Sequence, residues 1–239
     1  MSKNPTSSIS AFRPLAVVCL SGGMDSALTA ALALRTHDLA VLHANYGQRT
    51  ERRELSSFLA LADRLEVAPG RRLVVDFTSL RQIGGSSLTD LSIAVRHGEP
   101  EEGVVPSSYV PFRNAHLLAA ATSWAEVIGA TSIFMGAVEA DSSGYPDCRP
   151  AFFQAFADAI RLGTRADTRI VIETPVIALS KAEIIQKGLL LAVPFDLTWS
   201  CYESNDQACG ECESCRLRLT AFAKAGSVDP IRYRSPYSA

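Results

Sequence analysis

What most limits the folds open to this chain is a recurrence. Short β-branched apolar runs, LAVVCL (15–20), LAVLHANY (39–46), RRLVVDF (71–77), TSIFMGAV (131–138) and RIVIETPV (169–176), return between stretches whose apolar residues lie three and four apart. Runs this continuously apolar read as strands buried on both faces, the condition of a parallel sheet. The intervening stretches 25–35, 51–65, 114–128 and 149–162 read as helices, with Gly129 and Gly163 placed to stop the last two. A βαβα alternation packs as helices on both faces of one sheet, so the expected class is α/β, a Rossmann-like doubly wound parallel sheet of about five strands. A short helix, SKAEIIQKG, is expected after Pro175, and another over 216–225 ending at Gly226. The tail SVDPIRYRSPYSA reads as an extended surface segment.

Residues 78–110 break the alternation, with IGGSS and HGEPEEG and no period of either kind. A connection this long inside an α/β domain is usually functional or mobile, and a lid-like loop is expected here. The chain of 239 residues is long enough to bury a core without disulfides. Its 23 basic and 25 acidic side chains leave a formal charge of −2, so no global field draws it onto nucleic acid or anionic lipid. The first thirteen residues, MSKNPTSSISAFR, are polar and read as a flexible N-terminus, and the apolar run behind them is too short for a signal sequence or a membrane span. The expectation is a cytoplasmic protein. In that reducing compartment, clustered cysteines are metal ligands or catalytic thiols rather than disulfides.

The first strand runs directly into LSGGMDSALTA, residues Leu20, Ser21, Gly22, Gly23, Met24, Asp25, Ser26, Ala27, Leu28, Thr29 and Ala30. Gly22 and Gly23 allow a tight turn, and Asp25 or Ser26 can cap the helix that follows. A strand, a turn of small residues and a helix N-terminus at the first position of a doubly wound sheet gather free amides and the positive end of the helix dipole, which suits phosphate. A plain βα turn with a glycine pair has the same spacing. The string SGGxDS is that of the pyrophosphate loop of ATP pyrophosphatases, the PP-loop enzymes, which adenylate a substrate and release pyrophosphate. No G-x-x-x-x-G-K-[ST], G-x-G-x-x-G, G-x-S-x-G or H-E-x-x-H is present. When the α-phosphorus of ATP is attacked, charge builds on the departing pyrophosphate, and amides, Mg²⁺ and a lysine can stabilise it. Lys181, in TPVIALSKAEI, is the candidate lysine, and Asp25 and Ser26 join it as candidate catalytic residues. The expected organisation is an adenylating α/β domain over 1–195 and a metal-binding segment over 196–239 packed on it.

Cys201, Cys209, Cys212 and Cys215 follow the spacing C-x7-C-x2-C-x2-C. Each C-x2-C brings two thiolates to one ion from a tight turn, and Cys201 completes a tetrahedron with no open position, the description of a structural Zn²⁺ site. Four thiolates also suit an iron–sulfur cluster, and a thiol-transfer enzyme would keep one as nucleophile. Cys19 reads as core and Cys148 as a buried or substrate-adjacent residue.

Taken in order, LSGGMDS, NYGQR (45–49), SSLTD (86–90), VPFRN (110–114), DSSGYPDCRPAFF (141–153), TPVIALSKAEI (174–184) and TWSCY followed by ACGECESCRLR resemble the 7-cyano-7-deazaguanine synthases, the nitrile-forming ligases of the queuosine pathway. The likeness spans residues 15–235. It implies that ATP adenylates 7-carboxy-7-deazaguanine, that ammonia displaces AMP to give the amide, and that a second ATP activates the amide oxygen so that elimination leaves the nitrile. It implies MgATP on residues 20–30, zinc on the four cysteines and a homodimer. SGGMDSA stands where many relatives have SGGQDST, and VPFRN where some have VPGRN. A related ligase that stops at the amide or a conjugate, and a PP-loop tRNA-modifying enzyme, share the loop; the latter predicts a basic extension that the charge count does not show. A zinc-clipped module that binds nucleotide without catalysis is a further reading.

A deazaguanine edge offers N–H donors and a carbonyl, so its site needs a carboxylate, an amide and a stacking surface. Asp141 or Asp147 can accept from that edge and Tyr145 can stack. Arg113 or Arg149 can hold the carboxylate or phosphates in a bidentate fork. Asn114, and Tyr46 and Gln48 at the carboxyl edge of the second strand, complete the expected substrate set. As alternatives, Asp147 caps the helix beginning near Arg149, and His43 and His116 are structural histidines.

Overall fold

The computed structural model describes residues 13–98, 103–139 and 144–234. Five strands, β1 (Leu15–Cys19), β2 (Asp38–Asn45), β3 (Arg72–Asp76), β4 (Ser132–Met135) and β5 (Val171–Glu173), form one sheet in the order β3-β2-β1-β4-β5. Every neighbouring pair is parallel. The helices are α1 (Met24–Ala33), α2 (Glu51–Arg64), α3 (Ser79–Ile83), α4 (Arg113–Ile128), α5 (Pro150–Gly163), α6 (Lys181–Leu190) and α7 (Glu213–Lys224). The expected strands and helices are all present, within a few residues of their expected bounds.

Strand residues alternate between two cores because successive side chains leave a strand on opposite faces. Ala16 and Val18 of β1, Leu39 and Val41 of β2 and Phe134 of β4 pack with α1, α2, α6 and α7. Val17 and Cys19, Ala40 and Leu42, and Ile133 and Met135 pack with Leu118, Ala121 and Ala125 of α4 and Phe153 and Ile160 of α5. The chain builds outward from β1 through β2 to β3, then crosses to β4 and β5 on the other side. The strand order therefore reverses between β1 and β4, and their carboxyl ends open a crevice, where ligands bind in such sheets.

Several local expectations are corrected. α1 begins at Met24 with Gly23 as its N-cap and without a side-chain cap, so neither Asp25 nor Ser26 caps it. Ser26 lies inside the first turn and donates its hydroxyl to the Gly23 carbonyl at 2.9 Å. Gly129 ends α4 in the left-handed region, φ 71°, as expected, but Gly163 is the last residue of α5 and does not stop it. That end is closed by Thr164, in extended backbone, whose hydroxyl donates to the Ile160 carbonyl at 2.8 Å. α7 starts directly at the turn of Cys212 and not at 216.

The tail is also tied down further than expected. Arg218 is fully buried and grips Asp229 through two parallel bonds, Nε to Oδ2 at 2.7 Å and Nη2 to Oδ1 at 2.9 Å. The remaining guanidinium donors reach the Thr198 hydroxyl at 2.7 Å and the Phe195 carbonyl at 3.0 Å. Tyr233 donates to the same carboxylate at 2.6 Å, and its residue forms a β-bridge with Ala208. Within 78–110, Ser86, Ser87, Leu88 and Thr89 are buried. Arg49 donates to the carbonyls of Ser87, Asp90 and Ile93 at 2.7, 3.1 and 2.8 Å. His97 forms a β-bridge with Cys212. The flexible N-terminus expected over residues 1–13 falls almost wholly outside the described residues.

Removing one partner of a buried, hydrogen-bonded ion pair strands the other charge, at about 3–5 kcal/mol. Arg218→Met is therefore expected to lose about that much stability, read from the midpoint shift of urea unfolding against the unchanged protein.

Candidate functional site

A cleft of about 260 Å³ opens at the carboxyl ends of β1, β2 and β4. One end is the loop Ser21, Gly23, Met24, Asp25 and Ser26 with Lys181; the other holds Tyr46, Arg113, Asn114 and Tyr145. The loop's shape is set by two close approaches. Gly22 sits at φ +91°, and a Cβ there would lie 2.8 Å from the Glu54 carbonyl oxygen of α2. Gly136, just past β4, passes so near the first turn of α1 that a Cβ would stand 2.9 Å from the Ser26 nitrogen. These contacts hold the loop between α2 and the end of β4, leaving the N-terminus of α1 free of any side-chain cap and open to an anion. Gly136 lay inside a string that reads as strand, and only the packing gives it a role.

Asp25 and Lys181, 156 residues apart, meet at 2.6 Å between Oδ2 and Nζ. Ser180 holds the start of α6 in a full capping box with Glu183, which places Lys181 in the first turn and aims it across the loop. The other carboxylate oxygen of Asp25 is buried without a hydrogen-bond partner. Ser21 and Ser26 hydroxyls stand 3.1 Å apart beside it. Leu20, Ala27, Leu28, Thr29 and Ala30, expected among the nucleotide-binding residues, are buried behind the loop. Leu20, Ala27, Leu28 and Ala30 belong to the core, and Thr29 donates its hydroxyl to the Asp25 carbonyl at 2.8 Å.

At the other end, Arg113 donates to the Tyr46 hydroxyl at 3.1 Å with its guanidinium 5.6 Å from that ring's centre. Its Nε is buried without a partner. Burial pushes the Tyr46 phenol up to about 12, so it stays neutral. Tyr145 shares a hydrogen bond with Ser108 at 2.9 Å. Asn114 donates its side-chain amide to the Asp147 carbonyl at 2.9 Å and to the Cys148 sulfur at 3.3 Å.

Other expected substrate residues lie elsewhere. Gln48 is buried and turned away, accepting from the Tyr46 backbone N–H at 2.9 Å and donating to Glu54 at 3.1 Å. Asp147 accepts from the Asn114 backbone N–H at 2.9 Å, so it caps α4 and not the helix beginning near Arg149. α4 needs that cap because Phe112 at its start offers no acceptor. Phe112 takes the left-handed φ of 58° with its ring packed edge-on to Phe152. Arg149 is exposed ahead of α5 and does not line the cleft. Asp141 lies outside the described residues.

Further residues line the cleft: Cys148, expected to be buried or beside the substrate, and two expected to be structural, Cys19 of the core and His43. Cys19 and Cys148 face it, and burial pushes their thiols up to about 12 and about 11, which keeps both protonated and poor nucleophiles. His43 also faces it. Its Nδ1 lies 3.2 Å from the Leu20 carbonyl and so carries the proton, leaving a buried Nε2 without a partner. Burial lowers its affinity for a second proton. His116 packs beside Phe77. Trp199, Ser200, Tyr202, Ser214 and Leu217 bring the cysteine-rich segment into the same wall.

The sulfur atoms of Cys201, Cys209, Cys212 and Cys215 all lie within 4.8 Å of one another, and those of Cys209 and Cys215 are 3.8 Å apart. A tetrahedral ion with bonds of about 2.3 Å to sulfur requires edges of about 3.8 Å, so the set fits a single ion. The backbone N–H groups of Glu203 and Cys209 point at the Cys201 sulfur, each at 3.4 Å, and those of Glu211 and Cys212 at the Cys209 sulfur at 3.4 and 3.3 Å. Such donors stabilise thiolates and orient metal ligands. Hydrogen bonds from the Cys212 and Cys215 thiols hold Cys201 well below the usual thiol range. The cluster therefore can hold a metal ion, and it is the only such group of ligands among the described residues. Trp199, two residues before Cys201, donates its backbone N–H to the Gly22 carbonyl at 2.9 Å, which joins the metal segment to the loop.

The model of the queuosine biosynthesis protein QueC family matches residues 15–226. The chain belongs to that family. It is 57% identical over 220 residues to the 7-cyano-7-deazaguanine synthase of Chloroherpeton thalassium, covering 92% of this chain and 96% of that one. To the 7-cyano-7-deazaguanine synthase of Acidobacterium capsulatum it is 56% identical over 225 residues, 92% of this chain and 97% of the other. A solved U34-tRNA thiolase NcsA from Methanococcus maripaludis with its [4Fe-4S] cluster is more distant: TM-score 0.48, 12% identity, 76% of this chain and 57% of that chain. The family and its named members establish the function, an ATP-dependent ligase of queuosine biosynthesis.

Because three other thiolates cannot close a four-sulfur site, Cys212→Ser is expected to lose bound metal, measured by elemental mass spectrometry of the purified protein. Its melting temperature should fall before turnover at low temperature does.

Proposed function

We propose that the cleft activates a carboxylic acid and then its amide with ATP, carrying 7-carboxy-7-deazaguanine and ammonia to 7-cyano-7-deazaguanine. The observation that supports the division of labour is the polarity of the cleft, a loop of free amides with Lys181 at one end and Arg113 among tyrosines at the other. The pyrophosphate of ATP sits on the amides at the start of α1, with Gly136 permitting the close approach. Lys181 stabilises charge on the leaving pyrophosphate as the substrate oxygen attacks the α-phosphorus. Asp25 aligns Lys181 through Oδ2, and its second oxygen would hold the magnesium of MgATP, which lends positive charge to the same leaving group. Ser26 donates to the phosphates.

Arg113, braced by Tyr46 and left with an open Nε, holds the carboxylate of the acid in its fork so that one oxygen reaches ATP. Ammonia then displaces AMP from the acyl adenylate and the amide forms with loss of a proton. In the second round the amide oxygen takes the place of the carboxylate oxygen, AMP departs with it, and the nitrogen loses its protons as the nitrile forms. Asn114 and Tyr145 border the base. Asp147, occupied as the cap of α4, and Arg149, exposed, take no direct part in this reading.

The four thiolates would hold zinc, the ion whose preferred geometry needs four soft ligands and no open position, and would add folding free energy on the order of 10 kcal/mol. The chain acts as a homodimer in the cytoplasm, as the family likeness implies. No helix among the described residues is long and apolar enough to cross a membrane.

The purified protein, given the acid, an ammonium salt and MgATP, is expected to form the nitrile by mass, with one AMP and one pyrophosphate released at each activation. AMP release that stops at the amide would replace this reading with the amide-forming one. Asp25→Ala is expected to cut turnover by about a hundredfold or more, the usual effect of losing a preorganised group that stabilises transition-state charge, with the fold retained by circular dichroism.

A further inference from the structure

The cysteine-rich segment is built like a structural clip, yet it does not stay on its own side of the molecule. Tyr202 follows Cys201 directly. Its side chain packs on the core that contains the four cysteines and Trp199. The same side chain packs on the separate cluster of Ala44, Tyr46, Leu80, Leu88 and Val110. No other residue of the described chain belongs to both groups. It also lines the cleft together with Tyr46, Arg113 and Tyr145.

Its phenol meets that of Tyr145, which in turn shares a hydrogen bond with Ser108 at 2.9 Å. Tyr202, Tyr145 and Arg113 line the same cleft. A hydroxyl can donate once and accept twice, so Tyr202 keeps capacity for a ligand after bonding Tyr145. A row of hydroxyls whose donor and acceptor roles can reverse matches a heteroaromatic edge on which a carbonyl acceptor stands next to N–H donors. Phenol rings on the same wall supply the flat apolar surface for such a ring system.

We propose that Tyr202 is a specificity-determining residue for the acid, carried into the cleft by the segment that holds the four cysteines. This rests on the function proposed above and names the wall of the cleft that reads the substrate. An enzyme holding the clip only for folding would need no ligand-facing hydroxyl adjacent to its first cysteine.

Tyr202→Phe removes the hydroxyl and leaves the ring in both packing groups. Three quantities are to be measured: KM for the acid and for ATP in steady-state nitrile formation; equilibrium binding of the acid by calorimetry with α,β-methylene ATP present, which cannot release pyrophosphate; and metal content with melting temperature. The expected result is a KM and a Kd for the acid raised about five- to tenfold, the factor that accompanies one lost hydrogen bond, with KM for ATP, metal content and melting temperature unchanged. Tyr233→Phe serves as the structural control, because Tyr233 also packs on the cysteine core but does not line the cleft. It should lower the melting temperature through the lost bond to Asp229 and leave KM for the acid unchanged. Equal acid affinity in Tyr202→Phe and the unchanged protein would overturn the inference, as would a rise in KM for the acid in Tyr233→Phe of the same size. Failure of the unchanged protein to make nitrile would instead overturn the proposed function, so the two failures are told apart in one set of assays.

Discussion

The hydrogen bond from the Trp199 backbone N–H to the Gly22 carbonyl, 2.9 Å long, joins two parts of the chain that sequence distance keeps far apart. On one side is the glycine turn that must present free amides to an anion. On the other is a segment with few apolar residues of its own, ordered around four cysteines. Trp199 is itself clamped, with the Arg53 guanidinium of α2 4.6 Å from its ring and its indole N–H donating to Ser204 at 3.1 Å. α2 approaches Gly22 from behind with its Glu54 carbonyl, so the loop is fixed by backbone contacts on both sides and not by side-chain caps. Catalysis by preorganised amides requires this rigidity, because amides that must reorient during the reaction lose their advantage over water.

From that junction the rest of the site follows. The strand order places the ends of β1 and β4 beside each other, and the absence of a side chain at Gly136 lets the chain after β4 close against the first turn of α1. Lys181 reaches Asp25 because α6 packs on α1 through the apolar core that contains Ile184 and Ile185. Arg218 pins the far side of α7 to Thr198, one residue before Trp199, and through Asp229 to the tail. The buried ion pair, the four-cysteine cluster and the loop are therefore parts of one packed unit. The cysteine-rich segment supplies part of the cleft wall as well as packing on the fold.

Much of the fold could be read from strings of a few residues. Strand and helix positions were legible because apolar period is a local property, and the parallel order because β-branched runs alternated with helical ones. The cysteine cluster was legible because Cys209, Cys212 and Cys215 follow one another at C-x2-C spacing and Cys201 lies only a short loop before them. Asp25 and Lys181 were legible as candidates, but their meeting was not, since it depends on how α6 docks. Gln48 and Asp147 illustrate the opposite error. Both have the chemistry to bind a base, yet one is engaged by Glu54 and the other by the N-terminus of α4, partners that no spacing rule could have named. The single-residue stop at Gly163 failed for a similar reason, because Thr164 already satisfied the helix end.

The sequence by itself determined the α/β class, the small-residue turn after the first strand and the set of four cysteines that can hold a metal ion, because each is specified by residues adjacent or nearly adjacent along the chain. Only the tertiary structure decided which candidates face one cleft, that Gly136 is as necessary to the loop as Gly22, and that Tyr202 and Trp199 carry the metal segment into the site. These depend on distances between segments 50 to 180 residues apart, on the order of a whole domain. Such distances are set by packing of the two cores, where shape and the satisfaction of buried polar groups select one arrangement from many that the local pattern allows.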